Sequence, residues 1–168
     1  MATTYSIKDA FLGIVGCLRD SPTLAPFLSG VWTYYAYQEA TVDPGKAALY
    51  VEAEGSSNDL WVGGPSGAGT LETIFLITLD TILQADSDTV DAESGATSSL
   101  MDLEHLVIGA LGEKPNLGAT NRALVWQVES IQRDTPVPDT EGGIDLDTPI
   151  RRTEIRLRVK TPILMATT

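Results

Sequence analysis

TLETIFLITLDTIL, residues 70–83, decides how the rest of the chain is read. It is the longest β-type run in the sequence. Ile74, Phe75, Leu76 and Ile77 are apolar in succession, which predicts a strand covered on both of its faces. A strand of that kind belongs in the middle of a sheet, with helices or a neighbouring subunit over it.

Upstream, Ser6–Arg19 reads as a helix. Ser6 is a candidate N-cap with Asp9 three residues on, and Ile7, Phe11, Ile14, Val15 and Leu18 recur at helical spacing. Gly13 and Gly16 each lower helix propensity by about 1 kcal/mol relative to alanine, so the helix needs tertiary support or uses them for close packing. Cys17, the single cysteine, reads as small core filler. Residues 23–30 form a connector. Val31–Gln38 (VWTYYAYQ) is aromatic and β-branched and reads as a strand. Asp43-Pro44-Gly45 is a turn by its own chemistry. Lys46–Glu54 alternates Ala47, Leu49 and Val51 against Ala48, Tyr50 and Glu52, so these two strands are expected to form an antiparallel hairpin.

Downstream, Ser99–Leu111 reads as the second helix. Ser99 caps it and Asp102 closes the box. Leu100, Leu103, Leu106, Val107, Ala110 and Leu111 share a face, and Gly112 is expected at C′. His105, the only histidine, falls on the polar side, in solvent or at a subunit contact. Arg122–Arg133 predicts a strand with Leu124, Trp126 and Val128 inward. Arg151–Ile163 predicts a last strand, half-buried at period two. Thr153, Ile155, Leu157, Val159 and Thr161 face one side; Arg152, Glu154, Arg156, Arg158 and Lys160 face the other. The expected class is α+β, a mixed, largely antiparallel sheet of about five strands with two helices packed on it. The whole chain, 1–168, is expected to form a single domain with long acidic or glycine-rich loops at 56–69, 84–98 and 134–148.

The 168 residues carry a formal net charge of −12 and are 43% hydrophobic, with mean hydropathy +0.04. This is a globular composition, and its charge argues against wrapping nucleic acid. One cysteine excludes an internal disulfide framework. No signal peptide or membrane-length apolar run is read, so folding in a cytoplasm is expected.

No local pattern marks a catalytic centre. Gly63–Thr70 (GGPSGAGT) lacks the lysine of a phosphate-binding loop and leads into a strand. The acidic runs Asp86, Asp88, Asp91, Glu93 and Asp139, Glu141, Asp145, Asp147 do not match a calcium loop and read as solvated faces. His105 has no ligand partner at helical spacing. No catalytic, cofactor-binding or metal residue is assigned, and the chain is not expected to be an enzyme. The informative charge feature is that five of the eleven basic residues lie within Arg151–Lys160. The simplest reading pairs them cross-strand with carboxylates such as Glu129 or Glu72. A protected sheet edge is another. The third is a contact surface between copies, with Arg152, Arg156, Arg158 and Lys160 meeting an acidic loop that carries Asp86, Asp88 and Asp91.

The order of elements is helix, two strands, long strand, helix, two strands. It runs through SIKDAFLGIVGCLRD, KAALYVEAEG, TLETIFLITLDTIL, LMDLEHLVIGALG, RALVWQVESIQRD and RRTEIRLRVKTPI. This order resembles the tail-terminator (tail-completion) proteins of long-tailed bacteriophages over most of the chain. The resemblance implies a ring, usually of six copies, that caps the finished tail tube, stops its growth and offers the head a docking surface. The implied partners are further copies, the tail tube protein and a head-completion or connector protein, with no membrane and at most passing contact with DNA. The implied location is the virion tail or neck, after assembly in the host cytoplasm. Another neck or tail component is a close variant. A small-ligand carrier walled by Trp32, Tyr34, Trp61 and Trp126 is the competing class.

Overall fold

A computed structural model describes residues 7–33, 46–57, 68–82, 99–114, 116–117, 125–133 and 150–164. Helix α1 spans Ile7–Asp20. A 3-10 turn at Ala25–Phe27 leads to β1 (Leu28–Thr33), β2 (Ala47–Ser57) and β3 (Ala68–Ile82). Helix α2 (Leu100–Gly112) follows, then β4 (Val125–Arg133) and β5 (Ile150–Leu164). The five strands form one sheet in the order β1-β2-β3-β5-β4, so the apolar run of β3 lies at its centre, as its composition requires. Every pairing is antiparallel except that of β1 with β2.

That exception corrects the expected hairpin. β1 begins at Leu28, inside the stretch read as a connector, and Leu28 lies opposite Ala47 with both strands running the same way. A parallel neighbour needs a connection of about a dozen residues, and residues 34–46 are long enough to supply it. Alternation fixes which face a strand buries but says nothing of its direction. Residues 34–38 of the expected strand, and the Asp43-Pro44-Gly45 turn, lie outside the described residues.

Both helices pack on one face of the sheet. Ile14 and Leu18 of α1 and Leu103, Val107 and Leu111 of α2 close over Leu49 and Val51, Phe75, Ile77 and Leu79, and Ile155, Leu157 and Val159. The Phe11 and Phe75 rings lie 6.3 Å apart, tying α1 to the central strand. A fully buried leucine or phenylalanine in such a layer contributes about 1.5–3 kcal/mol through burial. Gly13 is placed where α1 is crossed by backbone: a Cβ there would stand 2.1 Å from the Leu117 carbonyl oxygen. Leu117 is itself fully buried and takes a left-handed φ of 49°. The other helical glycine of α1, Gly16, has no such crowding.

Ser99 caps α2 as its sequence predicts, but the Asp102 carboxylate meets the Ser99 hydroxyl instead of closing the box on its main-chain N–H. Ser99 Oγ accepts from the Asp102 N–H at 3.1 Å and donates to Asp102 Oδ2 at 2.7 Å. The C-terminus differs. Gly112 is the last helical residue, and Glu113 caps it in a right-handed conformation, its N–H bonded to Gly109 O. The Glu113 carboxylate accepts from Thr23 Oγ1 at 2.9 Å, and the left-handed turn falls later, at Leu117.

Candidate functional site: the helix-free face of the sheet

Strand β5 lies between β3 and β4, so its alternation is displayed on both sides of the sheet. Thr153, Ile155, Leu157, Val159 and Thr161 are all buried on the helix side. Arg152, Glu154, Arg156, Arg158 and Lys160 take the other face, which neither helix covers. The interior position of β5 rules out the edge-protection reading of its charges; the edges are β1 and β4.

The register explains how so much charge is held there. Arg156 sits opposite Leu76, and Arg158 opposite Ile74. Each therefore has an apolar neighbour for its stem, while its head reaches sideways to a carboxylate. Arg156 donates to Glu54 of β2 at 2.8 Å. Arg158 bridges two strands, meeting Glu72 of β3 at 2.6 Å and Glu129 of β4. Lys160 stands 3.7 Å from the other Glu72 oxygen. The cross-strand pairing read from the sequence, with Glu72 and Glu129 as partners, is what forms. The bonds to Glu129 and Glu72 also raise the Arg158 guanidinium above its ordinary range, with Glu129 the larger influence.

One pair differs from the rest. Arg152 and Asp80 face each other across β3 and β5, are both buried, and join through two hydrogen bonds of 2.7 Å. Burial, with the Glu154 charge beside it, pushes the Asp80 carboxyl up to about 7. Burial also lowers the Arg152 guanidinium. The bidentate contact works the other way on both groups, favouring their charged forms. Next to it, Tyr50 stacks on Trp32 at 5.8 Å, and burial together with the Asp80 charge pushes the phenol up to about 12.

A second ionic cluster lies on the helix side and was not read from the sequence. Glu104 of α2 is buried, receives Arg133 of β4 through Nε at 3.0 Å and Nη2 at 2.7 Å, and accepts from Thr153 Oγ1 of β5 at 2.9 Å. The signal was present: Leu100, Glu104, Val107 and Leu111 share one helical stripe, so Glu104 sits where an apolar residue is expected. A carboxylate there implies a cation on the facing strand. Its role is to bind α2 to the β4–β5 half of the sheet.

The structure thus brings Arg152, Arg156, Arg158 and Lys160 onto one face. It removes Arg152 from the surface, because that side chain is buried against Asp80. Asp86, Asp88 and Asp91 lie outside the described residues, as do Glu93 and the run from Asp139 to Asp147. His105 is exposed on α2. Trp32 and Trp126 cannot wall a common pocket. Trp126 packs toward the helix-side core from β4, whereas Trp32 lies with Tyr50 on the opposite face of the sheet and at the opposite edge. Tyr34 and Trp61 lie outside the described residues. Among the described residues no group of three or more His, Cys, Asp or Glu is placed to hold a metal ion, and no helix is long and apolar enough to cross a membrane. No protein-family model matches the chain, and neither does any curated protein.

Proposed function

We propose that this chain is a structural protein of a phage virion, a tail terminator. Its copies close into a ring of six that caps the tail tube, ends the tube's polymerisation and presents the joining surface for the head. The observation that supports the reading is the order and placement of the elements: α1, three strands, α2, two strands, with both helices on one face of a five-stranded sheet. That order is what carries the resemblance to tail terminators. Function in such a protein lies in shape and contact between copies, and it calls for no reactive group.

In this reading the contact surface includes Arg156, Arg158 and Lys160. Their side chains remain 43%, 32% and 50% exposed although each is paired within the chain. They meet the acidic segment of a neighbouring copy, with Asp86, Asp88 and Asp91 the candidate partners. Arg152 has no part in it, for its side chain is only 6% exposed. The test is the mass of the native protein in solution, measured by light scattering and native mass spectrometry. The expected result is a closed species of six 17.9 kDa chains. A monomer at every concentration overturns the proposal.

A further inference from the structure

On the open face, one row crosses three strands: Glu72 of β3, Lys160 of β5 and Val125 of β4. The ladder of cations ends in this row, and its last charge is held least firmly. Arg156 keeps Glu54 at 2.8 Å, and Arg158 keeps Glu72 at 2.6 Å with Glu129 on its other side. Lys160 reaches the second oxygen of the same Glu72, at 3.7 Å. That distance allows an ion pair but is too long for a hydrogen bond, and Glu72 is already committed to Arg158. Among the described residues no other carboxylate pairs with Lys160. Its side chain is also the most exposed of the three cations, at 50%.

Val125 stands directly across from Lys160 and on the same face, because opposed side chains in an antiparallel pair point the same way. The alternation that packs Trp126 and Val128 against the core turns Val125 outward, where it is 61% exposed. A lone exposed valine needs no explanation, but this one borders an ammonium whose three donors are not spent within the chain. Covering Val125 would also exclude water from Lys160, and a charge pair strengthens as water leaves. The charge of the chain sets which partner fits. At −12, copies repel one another overall, so a cation in reach of a neighbour's carboxylate is where they can meet. We propose that Lys160 and Val125 anchor the contact between copies of this chain: the ammonium donates to a carboxylate of the neighbouring copy, and the neighbour's side chains cover Val125. This rests on the reading that copies meet through the open face, and it names the point at which they do so.

The test uses the full chain, assembled together from natural and nitrogen-15-labelled copies. A water-soluble carbodiimide then joins each amine to a carboxylate in contact with it, and the linked peptides are read by mass spectrometry. A link within one chain joins peptides of one isotope, whereas a link between chains also joins a labelled peptide to an unlabelled one. The lysines to be told apart are Lys8, Lys46, Lys114 and Lys160. The expected result is mixed-isotope pairs at Lys160. Lys160→Gln and Val125→Asp should each weaken self-association about tenfold in sedimentation, with circular dichroism unchanged. Lys114→Gln, at the exposed end of α2, should leave it within about twofold. If the parent assembles but Lys160 is joined only within its own chain, the proposal is overturned. It is equally overturned if both variants fold and associate as the parent does. Either result leaves the ring reading standing with its contact elsewhere, whereas a parent that is monomeric at every concentration overturns the two together. The cross-link is read on the parent protein, so the outcome is decisive whether or not either variant folds.

Discussion

The Asp80–Arg152 pair carries the sharpest consequences of any single contact. Two charges have been taken out of water, and their two short bonds offset a desolvation term of comparable size. Removing one partner leaves the other charge buried and alone. Asp80→Asn should therefore lower the unfolding free energy by about 3–5 kcal/mol, whereas Asp80→Leu with Arg152→Met should restore or exceed the parent stability. Urea unfolding of the two proteins checks this. Equal losses in both would mean that the site tolerates no repacking, and that charge is not what matters there. Tyr50 reports on the same pair. Its phenol is raised from 10.0 to about 12, so the folded state holds its proton more tightly than the unfolded chain does. That contribution to stability is complete below pH 10 and is lost as pH climbs through about 12. The ultraviolet titration of the parent at about 295 nm, minus that of Tyr50→Phe, should show a late phase above the ordinary tyrosine range. In Asp80→Asn the late phase should move to lower pH, because a negative neighbour has gone.

Two elements show what was legible in the sequence and what was not. The core face of β5 could be read residue by residue, because a strand paired on both sides keeps its period of two over its whole length. β4 could not. Trp126 and Val128 face the core as their spacing predicts, but a bulge between Val128 and Ser130 shifts the phase, and Ile131 becomes the next inward residue. A bulge adds one residue without changing composition, so alternation alone misses it. The direction of β1 was illegible for a related reason, since pattern fixes faces and not polarity. On the open face, cross-strand pairing of Arg158 with Glu72 and Glu129 was readable from charge alone, but the burial of Arg152 depended on which strand lay opposite. The helical glycines give a test at this scale. Gly13→Ala places a methyl against the Leu117 carbonyl at 2.1 Å, and the backbone there cannot swing aside as a side chain can. A loss of about 1–3 kcal/mol is expected. Gly109 of α2 has nothing within 4 Å of such a methyl, so Gly109→Ala should gain about 1 kcal/mol from helix propensity. Thermal unfolding of the pair checks both signs. A stable Gly13→Ala would mean that α1 and the Leu117 turn are not in close contact.

At the scale of the whole molecule, the open face poses a question that a simple charge reversal cannot answer. Arg156 is paired with Glu54 inside the chain, so Arg156→Glu alone would set two carboxylates together and weaken fold and assembly alike. Exchanging the pair separates the two. Arg156→Glu with Glu54→Arg keeps one cation and one anion within reach of each other, and exposed pairs of this kind contribute only about 0.2–1 kcal/mol in either orientation. Stability should then stay close to that of the parent, while the charge pattern presented to a neighbour is inverted at that point of the sheet. If copies meet through this face, the exchanged protein should unfold like the parent in urea yet sediment as smaller species, and added salt should weaken the parent assembly in the same direction. If the exchanged protein retains the parent's mass, the arginine ladder serves only its own sheet, and any contact between copies lies elsewhere. Loss of assembly with stability preserved would locate the contact on Arg156 and its immediate neighbours. Sequence alone could not have posed this choice, because both halves of the pair had first to be found side by side.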